Sequence, residues 1–498
     1  MMKLQIVLVI VGLAAPASAL GAHVAPDILE NLELSPTTNI LVTFKNARTA
    51  SIAARFDALN LRSREARLNT LHAMYKDHAD TIQADVLTLL KKAEGVKKHY
   101  TSQLWISAEI IVRDVDKEIV EQLRYHPDVE SLLAEEFFPL LDTVEEFSYV
   151  REGDANITNL QWGVQRVNAD AVWRNGYNGQ GIVVANIDTG VRHTHEALFS
   201  NYRGTITGSH NWNWFAPTQR TAIPSDKIGH GTHVAGTISG SQFMSKKVLP
   251  VLLSFQDPSN MCYVTGTVNG IGVAPGSQWI ACRGCDGIFC SNFDLLECGN
   301  WVACPTFTDG TNPSCSQAPH VVNNSWGGER GDTFYNAILA TWRTLNIDGI
   351  FSAGNSGPNC DTVHSPSDRP DAISVASTTV DDVISYFSSV GPTIDGRMKP
   401  DFACPGSDIV SASHLADNQY RSLSGTSMAA PHASGVAALI RSRNPSFNTN
   451  QVKAALIRGV RAITPSGRTC GGVPDSVRPN HHVGAGLSDA SAAVQVIV

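Results

Sequence analysis

Four polar residues, Asp188, His230, Asn355 and Ser427, each stand among small or apolar neighbours, and together they have the makings of acyl-transfer chemistry. Ser427 lies in Gly425-Thr426-Ser427-Met428-Ala429-Ala430-Pro431-His432, at the start of an apolar helical run where a hydroxyl can be presented as a nucleophile. A serine hydroxyl is a weak nucleophile unless a base takes its proton and a carboxylate orients that base. An imidazole ordinarily titrates near neutrality, which suits His230 to general base work, and Asp188 can hold the ring. The side-chain amide of Asn355 and the backbone N–H of Ser427 can donate to a developing oxyanion. Taken alone, a Gly-Thr-Ser-Met-Ala turn is an ordinary helix cap; the company of the other three residues reverses that reading.

The elements around these residues are those an open α/β sheet needs. Asp188 closes the apolar run Gly181-Ile182-Val183-Val184-Ala185-Asn186-Ile187, which reads as a buried parallel strand, and Thr189-Gly190 turns the chain at its carboxyl end. Sites in such sheets gather at the carboxyl ends of strands. His230 opens His230-Gly231-Thr232-His233-Val234-Ala235-Gly236-Thr237, whose small residues let a helix start approach the sheet. Asn355 sits in Phe351-Ser352-Ala353-Gly354-Asn355-Ser356-Gly357, after a further apolar run.

These four segments, in the chain order Asp, His, Asn, Ser and spread over about 240 residues, resemble the motifs of the subtilisin-like serine peptidases. The resemblance implies a three-layer α/β fold with a central, mostly parallel sheet, and makes Ser427 the nucleophile, His230 the base, Asp188 its orienter and Asn355 an oxyanion donor. It further implies that Ser325-Trp326-Gly327 hydrogen-bonds an extended substrate as an added strand and that Ser352-Ala353-Gly354 forms the opposite wall of the primary specificity pocket. No acid lies in either segment, which favours apolar or aromatic side chains there. Catalysis by such a triad needs no cofactor. Structural calcium is compatible with the resemblance, but no loop is dense enough in carboxylates to name ligands.

Competing readings fare less well. Gly425 to Ala429 loosely echoes the serine elbow of α/β-hydrolases, where acid and histidine follow the serine; Asp475 with His481 or His482 would then serve, leaving Asp188 and His230 without work. His230 and His233 have the wrong spacing for the helical zinc signature and lack its glutamate. His193, His195 and His432 read as solvated or packed structural residues. A silent scaffold used for binding is the alternative from another class, although every group needed for catalysis is present.

The chain has 498 residues, 43% of them hydrophobic and 17% charged, so it is globular and too long for one ordinary domain. A net charge of -8 without a basic cluster argues against nucleic acid as a partner. Residues 1–19 carry the signs of a secretory signal peptide: Lys3, an apolar core from Leu4 to Ala15, and small residues at Ala17-Ser18-Ala19. No later run is long enough to span a membrane, so a secreted, soluble protein is expected. Residues 20–140 read as a small α+β domain that resembles an inhibitory propeptide. Its strands are expected at Asn39–Phe44 and Leu104–Val112, with helical character over Ala50–His99 and Asp116–His126. Residues 141–160, without periodicity and rich in Asp, Glu, Asn and Gly, make an activation junction, and 161–498 the peptidase domain, with no accessory domain expected after it. The expected partners are protein or peptide substrates and the chain's own propeptide as intramolecular inhibitor, on a monomer.

All ten cysteines lie between Cys262 and Cys470, enough for five bridges. Cys282-Arg283-Gly284-Cys285 has zinc-ribbon spacing, but disulfides are favoured in an exported protein, and Cys404 is either a buried thiol or a bridge member. Of two glycosylation sequons, Asn156-Ile157-Thr158 is the better acceptor, since a sugar on Asn323 would sit in the cleft.

Overall fold

A computed structural model describes residues 21–47, 49–94, 100–140, 149–150, 160–241 and 270–497. The residues expected to form a signal peptide, the sequon at Asn156 and most of the expected 141–160 junction lie outside the described residues. The chain divides into two units: 1–48, 78–103 and 108–135 form one; 49–77, 104–107 and 136–498 form the other.

The smaller unit is built on a five-stranded sheet in the order His23–Val24, Val129–Ala134, Thr38–Phe44, Glu109–Val115, Tyr100–Leu104. Ile40, Val42 and Phe44 alternate along one strand and are buried with Ile110 and Val112 of its antiparallel neighbour, as the period of two demands. Val86 and Leu90, four residues apart on a helix, join the same core, as do Ile119 and Leu123. The helix expected at Asp116–His126 runs from Lys117 to Arg124, with the Asp116 carboxylate capping it by accepting from the Ile119 amide at 3.0 Å. Ala50–His99 holds two helices, Ala50–Ala58 and Arg64–Glu94. Leu104–Val112, expected as one strand, is instead the end of one and the start of another around a turn at 105–108 where Ala108 has φ 56°. Trp105 and Ile106 are buried at that turn, so hydrophobicity alone made it look like strand.

The larger unit carries a nine-stranded sheet in the order Val460–Arg461, Leu487–Ser488, Phe402–Pro405, Ile373–Thr378, Asp348–Ser352, Val321–Asn324, Val183–Asp188, Gln278–Arg283, Trp214–Phe215. Every pairing is parallel except that of the first two strands. A parallel sheet covered on both faces needs near-continuous apolar strands, and adjacent residues separate to opposite faces. Ile350 joins the core of the helices His230–Ser239 and Thr426–Arg443, whereas Phe351 meets Trp326 and Tyr335 beside the helices Asn292–Ala303 and Asn336–Thr344. The result is the expected α/β three-layer arrangement. Asn323, in the central sheet, is fully buried and donates to Asn186 Oδ1 and Ser325 Oγ, which rules out a glycan there in the folded protein.

Four disulfides join Cys282–Cys298, Cys285–Cys290, Cys304–Cys315 and Cys360–Cys470. The zinc-ribbon pair is thereby split between two bridges, Cys404 is a buried free thiol, and Cys262 lies outside the described residues. Among the described residues no helix is long and apolar enough to cross a membrane.

Candidate active site

Asp188 is the last residue of a central strand and is fully buried. Its Oδ1 accepts from His230 Nδ1 at 2.8 Å and from the Thr189 amide at 2.7 Å. His230 is the first residue of its helix, after Gly229, whose φ of 89° an L side chain rarely adopts. A Cβ at Gly231 would stand 2.1 Å from the Gly190 carbonyl oxygen and 3.0 Å from Asp188 Cβ, so glycine alone lets the helix come this close to the strand end. Asp226, which the sequence reading passed over, fastens this helix start. Its Oδ1 accepts from the Ile228 and Gly229 amides and from Thr189 Oγ1, and its Oδ2 accepts from Thr232 N and Oγ1. A carboxylate at a helix N-terminus four residues before a histidine is the signal that could have found it.

Ser427 is the second residue of the Thr426–Arg443 helix, where helical geometry gives its backbone N–H no partner. Asn355 Oδ1 accepts from Thr426 N and Thr426 Oγ1, both at 2.8 Å, and Thr426 Oγ1 accepts from the Gly354 amide at 3.2 Å. These bonds fix the carbonyl half of the Asn355 amide and turn its NH2 half the other way. Pro431 has no N–H for the carbonyl four residues back, which belongs to Ser427; Ser325 Oγ donates to that carbonyl instead, at 2.9 Å. Ser427 Oγ in turn donates to the Ser325 carbonyl at 3.2 Å, while His230 Nε2 and Asp188 Oδ2 are buried without a hydrogen-bond partner among the described residues. The two helices that begin with His230 and Thr426 pack against each other. Aspartate and imidazole are therefore engaged, and the serine rests on Ser325.

The segments expected to line the substrate cleft follow the same strand ends. Trp326 turns its side chain into the core against Tyr335 and Phe351. Ala353 donates its amide to Val375 O, and Gly354 has φ 109°. His364, unremarked in the sequence, touches both walls: a Cβ on Gly327 would lie 3.2 Å from its Cβ and one on Gly354 2.8 Å from its ring. Its Nε2 pairs with Ser356 Oγ at 2.7 Å, and burial pushes its pKa down.

Four further histidines are tied to main-chain carbonyls. His233 Nε2 donates to the Ile409 and Arg421 carbonyls, and burial holds the ring well below its usual pKa. His432, packed on Gly163, donates Nδ1 to Met428 O and is pushed down to about 4 by burial. His195 Nε2 bonds Gln419 O at 2.7 Å, and His193 Nδ1 bonds Pro224 O at 3.0 Å.

A parallel α/β sheet with aspartate, histidine, asparagine and serine at its strand ends and helix starts defines the subtilisin class of architecture. Residues 179–486 match the subtilase family, and the chain belongs to it. It is 31% identical to bacillopeptidase F of Bacillus subtilis strain 168 over 97% of this chain and 33% of that protein. It is 29% identical to alkaline serine exoprotease A of Vibrio alginolyticus over 70% of this chain and 54% of that protein, and 25% identical to subtilisin E of Bacillus subtilis strain 168 over 73% and 83%. The chain thus spans a third to about half the length of the first two.

Proposed function

We propose that this protein is a secreted serine endopeptidase made as a self-processing zymogen. The observation that carries the reading is the buried hydrogen bond of 2.8 Å between Asp188 and His230, on a helix packed against the one that presents Ser427. His230 takes the Ser427 proton once substrate displaces the resting bond to Ser325, and Oγ attacks the scissile carbonyl. Asp188 holds the Nδ1–H tautomer and stabilises the imidazolium. The Asn355 NH2 group and the Ser427 amide donate to the oxyanion; the imidazolium then protonates the leaving amine, and water repeats the sequence on the acyl-enzyme. Calcium needs oxygen donors, but among the described residues the cluster within metal-binding reach is His72 with Cys304 and Cys315, and those two sulfurs already form a disulfide. That set does not fit calcium.

Zymogen processing is supported by Phe137–Pro139, which pairs antiparallel with Phe289–Ser291, and by the Leu140 amide, which donates to Ile288 O at 2.7 Å. Phe138 lies where a Cβ on Gly328 would stand 2.7 Å from its ring, beside Ser325-Trp326-Gly327. A segment held as an added strand, with an aromatic side chain against the cleft, is what a product-like inhibitor would be. It also supports an apolar or aromatic preference in the cleft, on a protein that works as a monomer outside the cell.

The test is N-terminal sequencing of the secreted protein beside Ser427→Ala from the same protease-poor host. A wild type beginning between Leu141 and Leu160 with an uncut variant supports self-processing. Equal cutting of both refutes it, and a wild type without peptidase activity after cutting refutes the enzyme.

A further inference from the structure

Residues 49–77 fold with the larger unit although they come from the N-terminal part of the chain. Along them Ile52, Phe56, Leu68, Leu71 and Tyr75 are buried. Two arginines one helical turn apart reach main-chain carbonyls: Arg64 Nη2 donates to Ala318 O at 3.1 Å and Pro319 O at 2.5 Å, and Arg67 Nη2 to Thr344 O at 2.6 Å. The first two carbonyls precede the strand Val321–Asn324, and the third closes the helix Asn336–Thr344, whose carbonyl end favours a cation. Arg67 also lies over the Phe56 ring, 5.0 Å from its centre. Ala318 and Pro319 lie at the amino end of a strand whose carboxyl end leads to Ser325, so this attachment sits at the opposite end of the sheet from the Ser427 chemistry.

Electrostatics make the attachment conditional. Arg64 shares its surroundings with Arg441, which pairs with Asp348 through Nε and Nη2. Burial and the Arg441 charge push the Arg64 pKa down to about 10, against the pull of Asp348. One carboxylate thus faces two guanidinium groups, and Arg64 stays in place through its carbonyls and the packing around it.

We propose that residues 49–77 are a second anchor of the propeptide, which keeps it on the enzyme after the junction is cut, so that release of activity is set by loss of the Arg64 and Arg67 contacts rather than by the cut. This rests on the self-processing reading above. Phe137–Pro139 acts as the product strand in the cleft, held by a short ladder; the arginines hold the same polypeptide at the far end of the sheet. Two tethered contacts bind more tightly than either alone because loss of one leaves the other at high local concentration.

The experiment compares full-length wild type with Arg64→Ala/Arg67→Ala, following junction cutting on gels and activity on a peptide substrate in the same samples. Wild type should be cut early and become active after a lag; the double variant should be cut at the same position with the lag shortened tenfold or more. Arg64→Lys/Arg67→Lys, which keeps charge but loses the planar fork, should fall between them, and carries the test if the alanine pair is not secreted. A second measurement uses Ser427→Ala with a foreign protease site placed in the junction. After cutting, the N-terminal fragment should co-elute with the rest of the chain, and should separate when Arg64 and Arg67 are also replaced. Normal cutting with an unchanged lag, or co-elution that survives both replacements, overturns the anchor while leaving self-processing intact. A wild type that never cuts itself overturns the reading beneath it.

Discussion

Replacing Asn355 separates its electrostatic role from a packing role. Thr426 N and Oγ1 hold Oδ1 at 2.8 Å each, which makes the NH2 half the donor end of the amide, and Asn355→Ala removes one donor from the developing oxyanion. The expected loss is about 10²–10³ in kcat with little change in KM, because the bond strengthens only as charge develops. Asn355→Asp is the sharper variant. Its shape is unchanged and Oδ1 can still accept both Thr426 bonds, but an anionic oxygen now occupies the place of the donor. At about 3 Å and an effective dielectric of about 20, the Coulomb repulsion with an oxyanion is of order 5 kcal/mol, several further decades before proton uptake relieves it. The isosteric variant should therefore be worse than the truncated one at neutral pH, the reverse of what packing would give. Active-site titration followed by kcat and KM on a peptide anilide reads the result. An Asn355→Asp enzyme as active as Asn355→Ala, or either within about threefold of wild type, refutes the oxyanion assignment.

Other expectations follow from the same geometry. Ser325→Ala strands the buried Ser427 carbonyl and should cost about 1–3 kcal/mol; adding Pro431→Ala restores an N–H for that carbonyl, so a double-mutant cycle by denaturant unfolding should show coupling, and strict additivity would refute the exchange of donors. Gly231→Ala forces a Cβ against the Gly190 carbonyl and Asp188, so kcat should fall at least tenfold with the secreted yield of folded protein as control. His432 has its folded pKa lowered from 6.5 to about 4 by burial, so the unfolded chain binds the extra proton first. Its contribution to stability is present above pH 6.5 and is lost as the pH falls towards 4, amounting to about 3 kcal/mol. His432→Gln should flatten thermal stability over that window, and an unchanged pH slope in Tm would count against it. His364→Leu should raise the preference for apolar side chains at the cleft without changing the rate on its best substrate by more than about tenfold; unaltered selectivity would place His364 outside the pocket.

Much of the α/β architecture was legible because its strands are continuous apolar runs and its site residues sit in small-residue motifs that only close backbone approach requires. Val183–Asp188 and Asp348–Ser352 could be read from the apolar runs that lead to Asp188 and Asn355. Thr426 stood inside a quoted motif yet went unread, since its partner Asn355 lies 71 residues away and hydrogen bonding across that distance leaves no local pattern. Asp226 bonds mostly within six residues of itself, but a lone aspartate in a loop looks like solvated charge. His364 gave no signal at all: its position between Gly327 and Gly354 comes from three separate chain segments. The turn at 105–108 misled for the opposite reason, as apolar residues that are buried at a bend look like strand.

Loss of Phe137–Pro139 from Phe289–Ser291 would uncover a sheet edge, and uncovered edges are where folded chains stick to one another. Three features blunt this one. It is only three residues long, its middle residue is bridged across the hairpin by Cys285–Cys290, and Ser291 beside that bridge turns the chain into a helix by capping the Phe293 and Asp294 amides. Two mature molecules meeting edge to edge would gain only a few main-chain bonds, too few to offset the ordering of both surfaces, whereas an unfolded substrate can run on past the edge and fill the cleft as well. The same strand can thus be adhesive towards loose polypeptide and inert towards folded neighbours.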